Sequence, residues 1–312
     1  MYQQLYDLCK QKAKHIVWVF SDLQQSNLEN ARQCIDICME DYHRLGCPAE
    51  QIWCLGDAVQ GTDLAQLYEM TKLQENAFAS LGIPLYYATG NHDYDYASFS
   101  AKQRGAAIEL PFYEMVRSHS GWFTTPDMDQ PYFTGSIGNF KTFFCDHISP
   151  DNSWLSTHNS IRYGHEVYPY AQAYWDGVRS EIAAAGDHVI TAAHCAFPGG
   201  NRETEILGKI QPLPRNVRLH LYGHAHIGEY SWPKQDVFRR ISWIDWQDIP
   251  QIDVASFENI RGSFCRSIIL HIYEDNSLGI FFRNHDAHCF TEAYFPAKDT
   301  LETDTHHAET PW

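Results

Sequence analysis

The sequence has 312 residues, of which 23 are basic and 39 acidic, so its formal net charge is −16. A strongly negative chain disfavours non-specific binding to a nucleic-acid backbone, which needs clustered Lys and Arg. A hydrophobic content of 44%, including 14% aromatic residues, is enough for the core of one large α/β domain or two smaller ones.

Cysteine usage and segment hydropathy indicate the compartment. The nine cysteines are irregularly spaced and several lie in apolar runs, which favours buried free thiols in a reducing environment over a disulfide framework. No segment approaches ~20 uninterrupted apolar residues, so a membrane span is excluded. The N-terminal residues also lack the basic and apolar regions of a signal peptide. We therefore expect a cytoplasmic protein with neither a membrane nor a nucleic-acid partner.

The first ninety residues alternate between strand and helix patterns. Three apolar β-type runs alternate with two segments of helical periodicity, in the order 16–20, 27–45, 52–55, 63–81 and 84–88. The first run is continuous, as is typical of a strand buried on both faces. Gly46 and Pro48 end the first helical segment. This alternation predicts parallel strands joined by right-handed helical crossovers.

Asp22, Asp57 and Asn91 each follow one of these three strands. Asp22 and Asp57 are 35 residues apart, and Asp57 and Asn91 are 34 apart. One βαβ unit takes ~30 residues or more, so the three residues should lie at the carboxyl ends of successive strands. Open α/β sheets form their ligand sites at these ends. The spacing therefore predicts that these polar groups converge.

The remainder of the chain predicts a hairpin, one helix and further strands. The hairpin covers 132–135 and 139–145, the helix covers about 170–185, and two later strands, 188–193 and 218–222, end just before His194 and Gly223. Beyond residue 228, short strands such as 264–273, 278–284 and 288–294 suggest a second, largely antiparallel sheet packed on the first.

The domain prediction is a single domain over residues 1–298. Insert-like loops are expected at about 95–130 and 146–168, followed by a flexible acidic tail at 299–312.

Five polar clusters carry the chemistry of the sequence. They are Asp22-Leu23-Gln24, Gly56-Asp57, Gly90-Asn91-His92-Asp93, His194 and Gly223-His224-Ala225-His226. Taken singly, each has a simpler interpretation: Asp22 could cap a helix, Gly90 and Asn91 could form a turn, and His194 could be a hydrogen-bonded core residue. His224 and His226 would point to one face of an extended segment. The joint pattern of carboxylates, amides and imidazoles favours a metal site.

Together these motifs resemble the calcineurin-like metallophosphoesterase superfamily. Its pattern is D-x-H, G-D, G-N-H-[D/E], a later lone His, and G-H-x-H, and the clusters match it in order over residues 16–228. Gln24 is the departure, because it stands where the first motif has histidine. The predicted hairpin and the helix before His194 also resemble the branch that contains purple-acid-phosphatase-like enzymes and cyclic nucleotide phosphodiesterases.

The resemblance implies an α/β fold, a four-layer α/β/β/α sandwich of two packed mixed sheets flanked by helices. It also implies two divalent metal ions, with manganese, iron, zinc and magnesium as the possible identities. The first ion would be bound by Asp22, Asp57 and His226, with Gln24 at the place of the missing histidine; the second would be bound by Asp57, Asn91, His194 and His224.

The catalytic residues implied by the resemblance are His92 and Asp93. His92 would contact the phosphate and protonate the leaving oxygen, oriented by Asp93, while Asn91 would also contact the substrate. His147, His158 and His165 form a further cluster, of which His147 and His165 are the candidates for lining the substrate pocket. The alternative is that these three histidines lie on the solvated surface.

The implied function is metal-dependent hydrolysis of phosphate monoesters or diesters by a metal-activated hydroxide, with small molecules or nucleotides favoured as substrates. One alternative is a phosphoprotein phosphatase, and another is a metal-stabilised binding or regulatory module without turnover, because Gln24 replaces the motif histidine. Gln24 itself could bind the first ion through its carboxamide oxygen, which would favour Mn²⁺ or Mg²⁺. It could also turn away and leave the position to water.

Overall fold

The computed structural model describes residues 2–10, 13–46, 48–96, 110–126, 132–145, 177–194, 213–224, 226, 241–242, 249–258 and 264–296. The predicted loop 146–168, with His147, His158 and His165, and the predicted acidic tail lie outside the described residues. Among the described residues, no helix has both the length and the apolar composition needed to cross a bilayer. The seven described cysteines are free thiols, and six of them are buried.

Thirteen strands form the β-structure of the described chain. In chain order they are β1 His15–Phe20, β2 Gln51–Cys54, β3 Leu85–Tyr87, β4 Trp122–Phe123, β5 Tyr132–Ile137, β6 Phe140–Cys145, β7 Val189–Ala193, β8 Val217–Tyr222, β9 Ile241–Ser242, β10 Gln251–Asp253, β11 Arg266–Ile272, β12 Leu278–Asn284 and β13 Cys289–Tyr294. They form two mixed sheets, one in the order β13-β12-β11-β1-β2-β3-β4 and the other in the order β5-β6-β7-β8-β10-β9.

The helices connect and cover these strands. They are α1 Tyr2–Cys9, α2 Leu28–Leu45, α3 Leu64–Ala79, α4 Pro111–Ser118 and helical residues 177–184, here α5; a 3₁₀ turn covers His92–Tyr94. Asn27 caps the start of α2 by accepting from the backbone of Asn30, and Gly46 ends α2 at a φ of 60°. Asp22 is therefore not a helix cap. α4 and β4 occupy the described part of the loop expected at 95–130.

The parallel βαβ prediction for the first ninety residues is confirmed. β1 pairs with β2, and β2 with β3, in parallel registers. The predicted hairpin is confirmed as the antiparallel pair β5 and β6. Because β1, β2 and β3 are parallel, the residues that follow them lie at one edge of the sheet.

The sheet membership of the C-terminal strands differs from the prediction. β11 pairs with β1 in the antiparallel direction, and β12 and β13 continue from it, so these strands extend the first sheet. The second sheet is instead formed by β5 to β10. Every residue of β11 and of β12 is buried, because each strand has helices on one face and the other sheet on its second face.

Alternation along the central strands separates two layers of core. On β1, Trp18 and Phe20 face the helices, whereas Val17 and Val19 face the second sheet. A third apolar layer joins α5 to the outer face of the second sheet, with Val178 and Ile182 against Val189. The layers thus follow the order helix, sheet, sheet, helix, and the four-layer α/β/β/α sandwich is confirmed.

Candidate metal centre

Five strand ends from the two sheets supply the side chains of the site. Asp22 follows β1 and Asp57 follows β2, while Asn91 follows β3. From the second sheet, His194 directly follows β7 and His224 comes two residues after β8, and these two strands are parallel neighbours. The structure therefore brings the predicted polar clusters to the same edge of the sandwich.

The backbone at this edge is left-handed at four polar residues. The φ angles are 55° at Asp22, 52° at Asp57, 70° at His224 and 50° at His226. His224 and His226 are therefore not on an extended segment, and the prediction that they point to one face of such a segment is wrong. Non-glycine residues in this region cost about 1–3 kcal/mol each and cluster at functional sites. Here the strained backbone is held by hydrogen bonds, such as the one that His224 N donates to Asp22 Oδ2 at 2.9 Å.

Two glycines allow the loops to approach closely. A Cβ on Gly90 would lie 2.2 Å from Asp57 Oδ1, and a Cβ on Gly223 would lie 1.9 Å from Ser21 Oγ. Neither position has room for a side chain. Gly90 and Gly223 therefore let neighbouring strand ends meet.

Asp57, His194 and His224 form one group of possible metal ligands. One ligand atom from each lies within 4.8 Å of the others. His194 Nε2 is 3.0 Å from Asp57 Oδ2, while His194 Nδ1 is 2.8 Å from the Leu55 carbonyl, to which it donates. That hydrogen bond directs Nε2 toward the site.

Asp22, Gln24 and His226 form another group of possible metal ligands. His226 Nε2 is 3.0 Å from Asp22 Oδ1 and 3.5 Å from Gln24 Nε2. The Gln24 side chain is only 2% exposed, and the backbone N–H of Gln24 donates to Asp57 O at 3.0 Å. Gln24 therefore lies inside the site beside His226.

The donor set fits divalent cations. Two buried side-chain oxygens, Gln24 Oε1 and Asn91 Oδ1, accept no hydrogen bond from the part of the chain that the structure describes. Two more, Asp22 Oδ1 and Asp57 Oδ2, each face an imidazole nitrogen at 3.0 Å. Buried polar atoms without a hydrogen bond are costly. Carboxylate, carboxamide and imidazole together are ligands of manganese, iron, zinc and magnesium, and cation binding would satisfy all four oxygens.

In the metal-free site, the pKa shifts favour ion pairs between carboxylates and imidazoles. Burial would lower the pKa of His194, but the charge of Asp57 raises it to about 9. Burial would raise the pKa of Asp57, yet His194 and His92 hold it well below its ordinary range. Likewise, the carboxylates of Asp22 and Glu258 raise the pKa of His226 despite its burial. Without a cation, these shifts favour the protonated forms of His194 and His226, whereas burial lowers the pKa of His224 to about 4.

Asp95, rather than the predicted Asp93, orients His92. Asp95 Oδ2 is 3.1 Å from His92 Nδ1 and also accepts from Gly61 N at 3.2 Å. The reason is the 3₁₀ turn, in which side chains three residues apart lie on the same side. Against its burial, Asp57 and Asp95 raise the pKa of His92 to about 9.

Asp93 instead joins the second and third strand ends. Its carboxylate accepts from the backbone N–H groups of Asp57 at 2.9 Å, Ala58 at 2.8 Å and Gly90 at 2.7 Å. Burial and the charge of Asp57 raise the pKa of Asp93 to about 7. Asp93 therefore positions the loop that carries Asp57.

Two further acidic residues near the site have no signal in the sequence. Glu258 Oε1 lies 2.6 Å from His226 Nδ1. Asp253, at the end of β10, is fully buried; this burial and the charge of Asp22 raise its pKa to about 8. Both follow the last motif by more than 25 residues. The pairing of β10 with β8 brings Asp253 near the site, and the backbone hydrogen bond from Glu258 N to Asp22 O does the same for Glu258. Asp95, by contrast, could have been found from its spacing to His92.

The chain matches a protein-family model and is similar in fold to solved structures. The family model described as calcineurin-like phosphoesterase matches residues 15–228. No match was found among curated protein sequences. Among solved structures, the chain is similar to a dimetal phosphatase from Danio rerio, with 11% identity and a TM-score of 0.59 over 92% of this chain and 99% of that one. It is also similar to a purple acid phosphatase from yellow lupin (Lupinus luteus) seeds, with 11% identity and a TM-score of 0.50 over 89% of this chain and 53% of that one.

Proposed function

The chain belongs to the calcineurin-like phosphoesterase family and is a phosphoric ester hydrolase, and we propose that it hydrolyses small phosphate monoesters or diesters with two divalent ions. The observation that carries the proposal is the meeting of Asp57, His194 and His224 within 4.8 Å, beside the Asp22–His226 pair at 3.0 Å. Asp57 would contact both ions, since a carboxylate has two oxygens and enough lone pairs to do so.

The remaining ligands follow from the two groups. At the first position we place Asp22, Gln24 and His226, and at the second Asn91, His194 and His224. Gln24 offers an oxygen where the family motif has a nitrogen, and its side chain is buried beside His226. We therefore propose Mn²⁺ or Mg²⁺ at the first position, since both prefer oxygen donors.

The protein's own residues would then position the substrate and move one proton. Bound divalent ions would supply positive charge for the phosphate and an activated water at neutral pH. Asn91 and His92 lie on the loop after β3 and would contact the phosphate. Asp95 fixes the His92 ring through Nδ1, which leaves Nε2 to donate its proton to the leaving oxygen.

The charge of the protein supports small substrates. Its formal net charge of −16 opposes a long polyanion such as DNA but not a single phosphate next to two cations. We propose a nucleotide or another small phosphorylated molecule over a nucleic acid or a phosphoprotein.

A substrate panel across several metals tests this function. Chelator-treated protein should be inactive, and Mn²⁺ or Mg²⁺ should restore hydrolysis of p-nitrophenyl phosphate or bis-(p-nitrophenyl) phosphate more than Zn²⁺ or Fe²⁺ does. Each ion is compared on small esters and on phosphopeptides. Faster turnover of phosphopeptides would identify a phosphoprotein phosphatase instead. Tight phosphate binding with no turnover under any ion would identify a non-catalytic module.

Replacing His92 by alanine tests the proton donor. We expect the rate to fall by ~10²–10⁴-fold on an alkyl phosphate, the usual contribution of general acid catalysis. The loss should be much smaller on p-nitrophenyl phosphate, whose leaving group needs no proton. The measurement is kcat for both substrates with saturating metal. An equal loss on both would show that His92 acts in another way, such as holding the phosphate.

A further inference from the structure

Glu258 lies beyond the matched part of the chain but reaches into the proposed metal centre. It is 30 residues past residue 228, where the family match ends. Its side chain is 1% exposed, and Oε1 is 2.6 Å from His226 Nδ1. On the other side of the ring, His226 Nε2 is 3.0 Å from Asp22 Oδ1. The imidazole of His226 is thus held between two buried carboxylates.

The backbone around Glu258 is anchored to the strand end that carries Asp22. Glu258 N donates to Asp22 O at 3.1 Å, and Phe257 N donates to Ser21 O at 3.2 Å. Ser256 Oγ also donates to Asp22 O at 3.2 Å. The position of Glu258 is therefore set by Asp22, the residue whose carboxylate also faces His226.

The Nδ1 atoms of the two buried histidines of the site face different groups. His194 donates to the neutral carbonyl of Leu55, whereas His226 faces the carboxylate of Glu258. A carboxylate at Nδ1 fixes the proton there and makes Nε2 a stronger electron donor than a carbonyl does. The stronger acceptor is found at the first position, where Gln24 stands in place of an imidazole.

We propose that Glu258 is a positioning residue that holds His226 in the tautomer with its proton on Nδ1 and thereby compensates for Gln24 at the first metal position. The inference rests on the proposed two-ion function. It also gives Glu258, which lies outside the family match, a role at the same site. Gln24 and Glu258 contact the same imidazole ring. Gln24 Nε2 is 3.5 Å from His226 Nε2, and Glu258 Oε1 is 2.6 Å from His226 Nδ1.

The first part of the test is a calorimetric titration of chelator-treated protein with Mn²⁺. His226→Ala and His194→Ala identify the binding steps of the first and second positions. Glu258→Gln, which keeps the shape but removes the charge, should weaken the first step by ~10–100-fold and leave the second unchanged. Glu69→Gln, at an exposed acid on α3, is the matched control and should change neither step.

The second part is a coupling measurement with Gln24→His. If an added imidazole replaces the donor strength that Glu258 supplies, Glu258→Gln should weaken the first step less in the Gln24→His background than in the wild type. Equal losses in both backgrounds would overturn the compensation. The melting temperature of each metal-free variant separates a loss of fold from a loss of metal affinity.

The third part needs no substitution at Glu258. The ¹⁵N spectrum of the Mg²⁺-loaded wild type should place the His226 proton on Nδ1, and a proton on Nε2 would overturn the proposal. An unchanged first step in Glu258→Gln would overturn it as well, with the two-ion function intact. If the wild type binds no ion, or if neither His226→Ala nor His194→Ala affects binding, the proposed function itself fails.

Discussion

Replacing Asp57 by asparagine is expected to reduce phosphate ester hydrolysis by on the order of 10³-fold or more, at least the size of loss found when one preorganised electrostatic group is removed. Asp57 belongs to the group with His194 and His224, and its second oxygen, Oδ1, accepts from His92 N at 2.7 Å. The substitution removes the negative charge that would lie between both proposed ions. It also removes one oxygen ligand. The hydrolysis rate and the number of ions bound per chain should fall together.

His224→Ala is the companion variant and should have the same effect on activity. His224 is the exposed member of its group, so its replacement should leave the core intact. Circular dichroism and the melting temperature of the metal-free protein check the fold of both variants, with Glu69→Gln as the unaffected control. Full activity in either variant, with the fold preserved, would rule out the proposed mechanism.

Replacing Asp41 by asparagine is expected to lower the free energy of unfolding by ~3–5 kcal/mol, the cost of breaking a buried ion pair. Asp41 lies on α2 and is fully buried. Its carboxylate accepts two hydrogen bonds from Arg283, both 2.8 Å, and faces His285 Nδ1 at 2.9 Å and His288 Nδ1 at 2.8 Å. Without the charge of Asp41, the guanidinium of Arg283, only 3% exposed, would remain buried and uncompensated.

The contribution of Asp41 should depend on pH. Burial would raise the pKa of Asp41, but Arg283 and His285 hold it well below its usual range. A carboxyl whose pKa is lower in the folded state stabilises the fold above its unfolded pKa of ~3.9 and loses this effect as the pH falls. The difference between wild type and Asp41→Asn should therefore be largest near neutral pH and shrink below about pH 4.

Urea unfolding at neutral and acidic pH measures this difference. Glu69→Gln, an exposed acid on a neighbouring helix, should stay within about 0.5 kcal/mol of the wild type. A stability of Asp41→Asn within 1 kcal/mol of wild type at pH 7 would contradict the prediction. Since Asp41 joins α2 to β12 and to His288, the result also reports how firmly this helix is attached to the sheet.

The N-terminal half of the fold could be predicted because its signals are local. A strand buried on both faces is continuously apolar, as in residues 16–20, and a helix covering it has apolar residues at helical spacing. The length of one βαβ unit then places Asp22, Asp57 and Asn91 at neighbouring strand ends, and the parallel registers agree with this. The family resemblance drew on the same short motifs.

The C-terminal strands could not be assigned to a sheet from their sequence. β11 and β12 are recognisable as strands, but an apolar strand pairs equally well with many others. Pairing of β11 with β1 rather than with a separate sheet depends on distant parts of the chain meeting. The left-handed backbone at His224 and His226 could not be predicted for a similar reason, because His224 N donates to Asp22, which is 202 residues away in the sequence.

By itself, the sequence determined the order of the N-terminal elements, the family and the residue types that meet at the site, because periodicity and short motifs are encoded locally. Only the tertiary structure decided which acids support those residues. Asp95 reaches His92 across one 3₁₀ turn, and Asp93 instead binds the backbone of the loop that carries Asp57. Glu258 reaches His226 because β10 pairs with β8 and the following segment hydrogen-bonds to Asp22. Such contacts depend on the packing of distant strands, which no local pattern records.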